Sequence, residues 1–91
     1  MLNKDKMKEV LIDVAKSLRM IIKSTSGDIF TACAEDGRGF RVYFFDKEWR
    51  CELHRGTKVK RVVETILGKY TMDDVENMAL HIVTKQSKYM R

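Results

Sequence analysis

The densest chemistry in the chain sits in HRGTKVKR, residues 54–61, which holds Arg55, Lys58, Lys60 and Arg61 and no acid. Four cations in so short a stretch suit an anionic partner, above all the phosphates of a nucleic acid. The residues that follow predict a helix over 57–69. Val59, Val62, Val63, Ile66 and Leu67 fall at i, i+3, i+4, i+7 and i+8, with Thr57 placed to cap the start and Gly68 to stop the end. Cations at a helix start oppose the macrodipole at about 0.3–1 kcal/mol each. An anion docked on the free N–H groups there would remove the conflict, and Gly56 would let it come close to the backbone. The plain alternative is a solvated charge run, or pairing of these cations with Glu52 and Glu64.

A second constellation comes from alternation in two strand-like segments. Arg41, Tyr43 and Phe45 share one side of FRVYFF, and Arg50, Glu52 and His54 share one side of WRCELH. Aromatics interleaved with cations can stack on unpaired bases. Cover by another element or a dimer partner competes with that reading, and Glu52 interrupts the face.

Metal and catalytic chemistry find little support. CELH is a single Cys-x-x-His pair, whereas a structural zinc site takes four ligands, and Cys33 and His81 lie in apolar patterns of their own. Alternation sends Cys51 and His54 to opposite faces, which breaks up a dyad. A Cys33–Cys51 disulfide would have to cross a middle strand. No Gly-rich phosphate loop follows a strand. No metal, no cofactor and no enzymatic activity are expected.

These side chains need elements to hold them. Residues 3–23 read as an amphipathic helix, with Met7, Leu11, Val14, Leu18 and Ile21 on one stripe and Asn3 or Asp5 as cap. LRMIIKS also reads as a short strand, turning through TSGD into the next; the helix is preferred. Strands are expected at 28–34, 40–45 and 49–54, linked by EDGRG and DKE into an antiparallel meander. Phe40, Val42, Phe44, Trp49, Cys51 and Leu53 should face the core. A last helix should open at Thr71, start with Asp73 and Asp74, run to residue 88, and bury Met72, Val75, Ala79, Ile82 and Val83. Asp73, Asp74 and Glu76 at its start speak against its use as a recognition helix in a major groove.

The expected fold is therefore α+β. An N-terminal helix precedes a three-stranded antiparallel meander, and two C-terminal helices pack with it on one sheet face (α-β-β-β-α-α). A length of 91 residues suits a single small domain over 1–91. The net charge of +5 is local: residues 54–61 and 77–91 carry seven cations and no acid, so the remainder is net acidic. The charged N-terminus and the lack of an 18-residue apolar run point away from a secretory signal or a membrane span. With two cysteines and no disulfide pattern, a reduced cytoplasmic setting fits.

The order α-β-β-β-α, with the cationic TKVKR opening its last helix, resembles the double-stranded-RNA-binding domain over residues 3–69. The resemblance implies phosphate contacts from that helix start. The family's Gly-Pro-x-His loop is absent here, and EDGRGF occupies its place.

The leading expectation is a small non-enzymatic nucleic-acid-binding or regulatory protein. Its contacts would come from Arg55, Lys58, Lys60 and Arg61, with Arg41, Tyr43, Arg50 and His54 on the sheet. The alternative is a protein-interaction module, or a small inhibitor, docking on an acidic surface of a larger partner; a homodimer belongs to the same class.

Overall fold

A computed structural model describes residues 2–25 and 27–87. In chain order the elements are α1 (Lys4–Ser17), β1 (Ile21–Ser24), β2 (Ile29–Cys33), β3 (Gly39–Phe44), β4 (Glu48–Arg55), β5 (Arg61–Lys69) and α2 (Met72–Gln86). The five strands form one antiparallel sheet in the order β1-β2-β3-β4-β5. α1 packs over β1 and β2, α2 packs over β4 and β5, and the helices touch each other. The fold is α+β with every helix on one face of the sheet.

α1 starts as its sequence requires. The Asn3 side chain accepts a hydrogen bond from the Lys6 N–H at 2.8 Å, satisfying one of the orphan donors of a helix start. Met7, Leu11, Val14 and Ala15 form its buried stripe. The helix ends earlier than the periodicity of 3–23 predicts. Leu18 caps it and Arg19 takes a left-handed φ of 57°. The Met20 N–H reaches back to the Ala15 carbonyl at 2.9 Å, a closure that reverses the chain. Residues 21–24 then enter the sheet as β1, so the strand alternative for LRMIIKS is the one observed. Ile22 packs against the core while Ile21 faces solvent.

The meander predicted over 28–54 is present as β2, β3 and β4. Phe40, Val42, Phe44, Trp49, Cys51 and Leu53 are all buried under the helices with Phe30 and Ala32.

The predicted helix over 57–69 is a strand. Residues 56–60 form a turn and Arg61–Lys69 pairs with β4 along its whole length, Trp49 opposite Gly68 and Cys51 opposite Ile66. Two physical reasons favour the strand. Its content of Val62, Val63, Thr65 and Ile66 is β-branched, which stiffens χ1 and suits a pleated surface. Pairing with β5 also satisfies the N–H and C=O groups along the outer flank of β4. Thr57 therefore caps nothing, and Gly68 is a strand residue. With this helix gone, the order α-β-β-β-α is gone too, and the resemblance to the double-stranded-RNA-binding domain does not hold.

α2 is the last predicted helix. Thr71 caps it, accepting from the Asp74 N–H at 3.2 Å, with Asp73 and Asp74 in its first turn and Lys85 in its last. Its buried stripe is Val75, Met78, Ile82 and Gln86, with Ala79 and Val83 partly covered. Met72 is exposed instead of buried. The expected end at residue 88 lies outside the described residues.

Candidate nucleic-acid interface on the open sheet face

Because both helices lie on one side, the other face of the sheet is not covered by any described element. Ladder pairing arranges its side chains in transverse rows. One row reads Ile29, Tyr43, Arg50, Leu67; the next reads Thr31, Arg41, Glu52, Thr65; a third reads Cys33, Gly39, His54, Val62.

The first row carries the best-formed cluster. The rings of Tyr43 and Phe45 lie nearly parallel, at 12°, with centroids 6.5 Å apart. The Arg50 guanidinium carbon sits 4.6 Å from the Tyr43 centroid and 5.6 Å from that of Phe45, within cation–π range. Glu52 forms an ion pair with Arg50 at 3.6 Å from its Nε, too long for a hydrogen bond, so that nitrogen has no hydrogen-bond acceptor. Phe45 is 44% exposed. Its backbone is fixed from behind: the Phe45 N–H donates to the Glu48 carbonyl at 2.9 Å, and the Tyr70 hydroxyl donates to the Phe45 carbonyl at 2.6 Å. Arg41 donates to Thr31 Oγ1 at 3.2 Å and more weakly to the Tyr43 hydroxyl at 3.4 Å. The result is a flat, partly aromatic surface with two guanidinium groups across it.

The β4–β5 tip stands at the other end of β4. Gly56 has φ +126°, and a Cβ there would lie 2.0 Å from the Val59 carbonyl oxygen, so only glycine fits this turn. Its N–H donates to the Gly37 carbonyl at 3.1 Å, which ties the tip to the β2–β3 turn. Lys58, Val59 and Lys60 are exposed on the tip.

The eight predicted site residues thus divide. Tyr43, Arg41 and Arg50 share the open face, and Lys58, Lys60 and Arg61 sit in or beside the tip. Arg61 pairs across the ladder with Arg55, on the helix side of the register shift near Leu53 and His54. Arg55 has other work. Its Nε donates to Gln86 Oε1 at 3.2 Å and its Nη2 to the Lys85 carbonyl at 2.8 Å. The Lys85 carbonyl is an orphan acceptor of the helix end, and a cation there matches the macrodipole. His54 is only 6% exposed and its Nε2 has no hydrogen-bond partner. Burial, then the nearby Lys60 and Arg41, push its pKa down, against a smaller opposing pull from Glu52. It is a neutral packing residue over Gly39, not a surface cation.

Sequence reasoning missed Arg38. Its Nη1 donates to the Gln86 carbonyl at 2.6 Å, its Nη2 to Leu18 O at 3.3 Å, and its Nε to Asp36 at 2.8 Å. It joins the C-terminal ends of both helices. No local pattern announces a contact spanning 48 residues.

Among the described residues no three His, Cys, Asp or Glu side chains gather as a metal site would need. Burial, with Glu52 and Glu64 nearby, raises the Cys51 thiol to about 12, so it does not ionise near neutrality. His81 pairs with Glu64 across the groove between α2 and β5. No described helix is long and apolar enough to cross a membrane. The chain matches no family model, and the searches of curated proteins and of solved structures find no match either.

Proposed function

We propose that the protein binds nucleic acid through the open face of its sheet, as a binding protein without catalytic chemistry of its own. The observation that carries this reading is the Tyr43–Phe45 pair with Arg50 across it, on a face that the helices leave bare. Flat π surfaces next to guanidinium groups stack on unpaired bases. Arg41 and Arg50 would meet the backbone beside those bases, and Lys60 would extend the positive path toward the tip. Arg55 and His54 leave the list of contacts because one caps α2 and the other is buried.

The reading favours single strands over duplexes, since paired bases keep their faces inside the stack. Fluorescence anisotropy with labelled single-stranded and duplex DNA and RNA, each at two salt concentrations, tests it. Salt-dependent binding of single strands, weakened at least tenfold by Phe45→Ala with Arg50→Gln, is the expected result. No affinity for any of the four at low salt overturns it.

A protein partner is the second reading, and one observation favours it. Val62, Val63 and Leu67 are exposed on β5, at the sheet's edge.

A further inference from the structure

β5 is an edge strand of nine residues, and one flank of its backbone has no neighbouring strand in the sheet order. The opposite edge, β1, has four residues and a register irregularity. Short or irregular edges discourage further pairing, whereas a long edge invites it. β5 does carry an irregularity at Val63, between the pairs Leu53–Glu64 and His54–Val62, and cations at its two ends, Arg61 and Lys69. Between those ends its one charge is Glu64, which pairs with His81 of α2. The rest of its middle is Val62, Val63, Thr65, Ile66 and Leu67. Val62, Val63 and Leu67 are 54%, 51% and 63% exposed.

The charges around this strand are sorted by end. Lys58, Lys60 and Arg61 lie at its start. Asp73, Asp74 and Glu76 lie just past its end, in the first turns of α2, and the Asp74 carboxylate accepts from the Lys69 N–H at 2.8 Å. We propose that two copies of this chain pair edge to edge through β5, antiparallel, about a two-fold axis perpendicular to the sheet. Antiparallel pairing lays the start of one strand beside the end of the other. The basic tip of each copy then meets the acidic first turn of α2 in its mate, and the symmetry makes that contact twice. Parallel pairing would set like charge against like. With Thr65 on the axis, each Val63 faces Leu67 of the other copy. The irregularity at Val63 ends this register, so Arg61, on the helix side, does not face Lys69.

The two-fold axis keeps both open faces on the same side of a ten-stranded sheet. Lys58, at the tip, is spent on the acidic turn, while Arg41, Tyr43, Phe45, Arg50 and Lys60 stay on the open face. The pairing does not depend on the nucleic-acid reading.

Sedimentation equilibrium over a range of concentrations, at low and high salt, tests it. The expected mass is twice 10.7 kDa, with dissociation promoted by salt. Val63→Lys with Leu67→Lys should give a monomer whose circular dichroism is unchanged, because both side chains are exposed in the single chain. Lys58→Glu, outside every strand, should weaken the dimer at least tenfold, and adding Asp73→Lys in the same chain should restore it. A monomer at every attainable concentration overturns the proposal. So does a dimer indifferent to the lysine pair, or a Lys58→Glu defect that Asp73→Lys does not repair. Binding of single strands by a strict monomer would leave the nucleic-acid reading standing alone.

Discussion

Trp49 and Gly68 face each other across the β4–β5 ladder, and the indole fills the volume that any side chain at 68 would need. A Cβ at Gly68 would lie 2.2 Å from Trp49 Cζ2, and the indole Nε1–H donates to the Lys69 carbonyl at 2.8 Å. Gly68→Ala must therefore shift a ring that is 1% exposed. The expected cost is on the order of 1–3 kcal/mol, the range for overpacking a core. Trp49→Ala should cost more, about 3–5 kcal/mol. Urea midpoints measure both, and a change in tryptophan emission should accompany the glycine substitution. If position 68 ended a helix instead, alanine there would not touch the indole.

Arg55 closes α2 from a distance of thirty residues. Its replacement by Gln should strand the Lys85 carbonyl and leave Gln86 Oε1 without its donor. A loss of about 1 kcal/mol is expected for a partly exposed charge at a helix end, a fall in melting temperature of roughly 4–8 °C for a domain this size. Affinity for single strands should fall less than it does on replacing Lys60. An unchanged melting temperature would show that water serves the helix end equally well.

The contrast between these two residues shows what the sequence could disclose. The meander over 28–54 was legible because one side of each strand is buried and the other polar, so the alternation of Phe40, Val42 and Phe44 with Arg41 and Tyr43 is plain. β5 hid itself because it is an edge. Val62, Val63 and Leu67 are apolar yet exposed, which erases the two-residue period and leaves spacings that a helix satisfies equally. The β-branched run was the signal that could have found it. The end of α1 hid for a related reason: Ile21 and Ile22 continue the helical stripe, and Arg19 enters the left-handed region without a glycine to announce it. Of the site, Arg41, Tyr43 and Arg50 were legible from alternation alone. The burial of His54 and the capping by Arg55 and Arg38 depend on pairings that no local pattern encodes.

His54 should make the fold acid-sensitive. Burial, Lys60 and Arg41 hold its folded pKa below the ordinary histidine value. The unfolded chain then takes up a proton near pH 6.5, while the folded chain stays neutral until lower pH. Stability is intact above about pH 6.5 and falls as pH drops from there toward the folded pKa. His54→Asn removes this titration, so the difference between urea midpoints at pH 7.5 and pH 5 should shrink. An unchanged difference would place the acid sensitivity elsewhere.

The two thiols should react unequally. Cys51 is fully buried on the core face and its pKa is raised to about 12, while Cys33 is partly accessible on the opposite face. A thiol reagent at neutral pH should modify Cys33 in the native protein and Cys51 only on unfolding, at a rate set by global opening. Mass spectrometry of the modified peptides separates them. Fast native labelling of Cys51 would show that the core opens at β4.

Lys60 connects the buried histidine to the proposed interface. It lies on the exposed tip, and its charge helps to depress the His54 pKa. No helix dipole opposes it, because the segment it belongs to is a turn leading into β5, so neutralising it removes no conflict. Lys60→Gln should leave the urea midpoint at neutral pH unchanged and shrink the loss of stability between pH 7.5 and pH 5, because the folded pKa of His54 then lies closer to its unfolded value. If Lys60 also meets a phosphate, the same substitution should weaken single-strand binding irrespective of sequence. The slope of log K against log salt should then shrink by roughly 0.7, the value per phosphate for single strands. Phe45→Ala should behave in the opposite way, lowering affinity with the salt slope unchanged, because stacking releases no counterions. Equal effects on the slope from both substitutions would mean that aromatic and cation do not divide the work as the open face suggests.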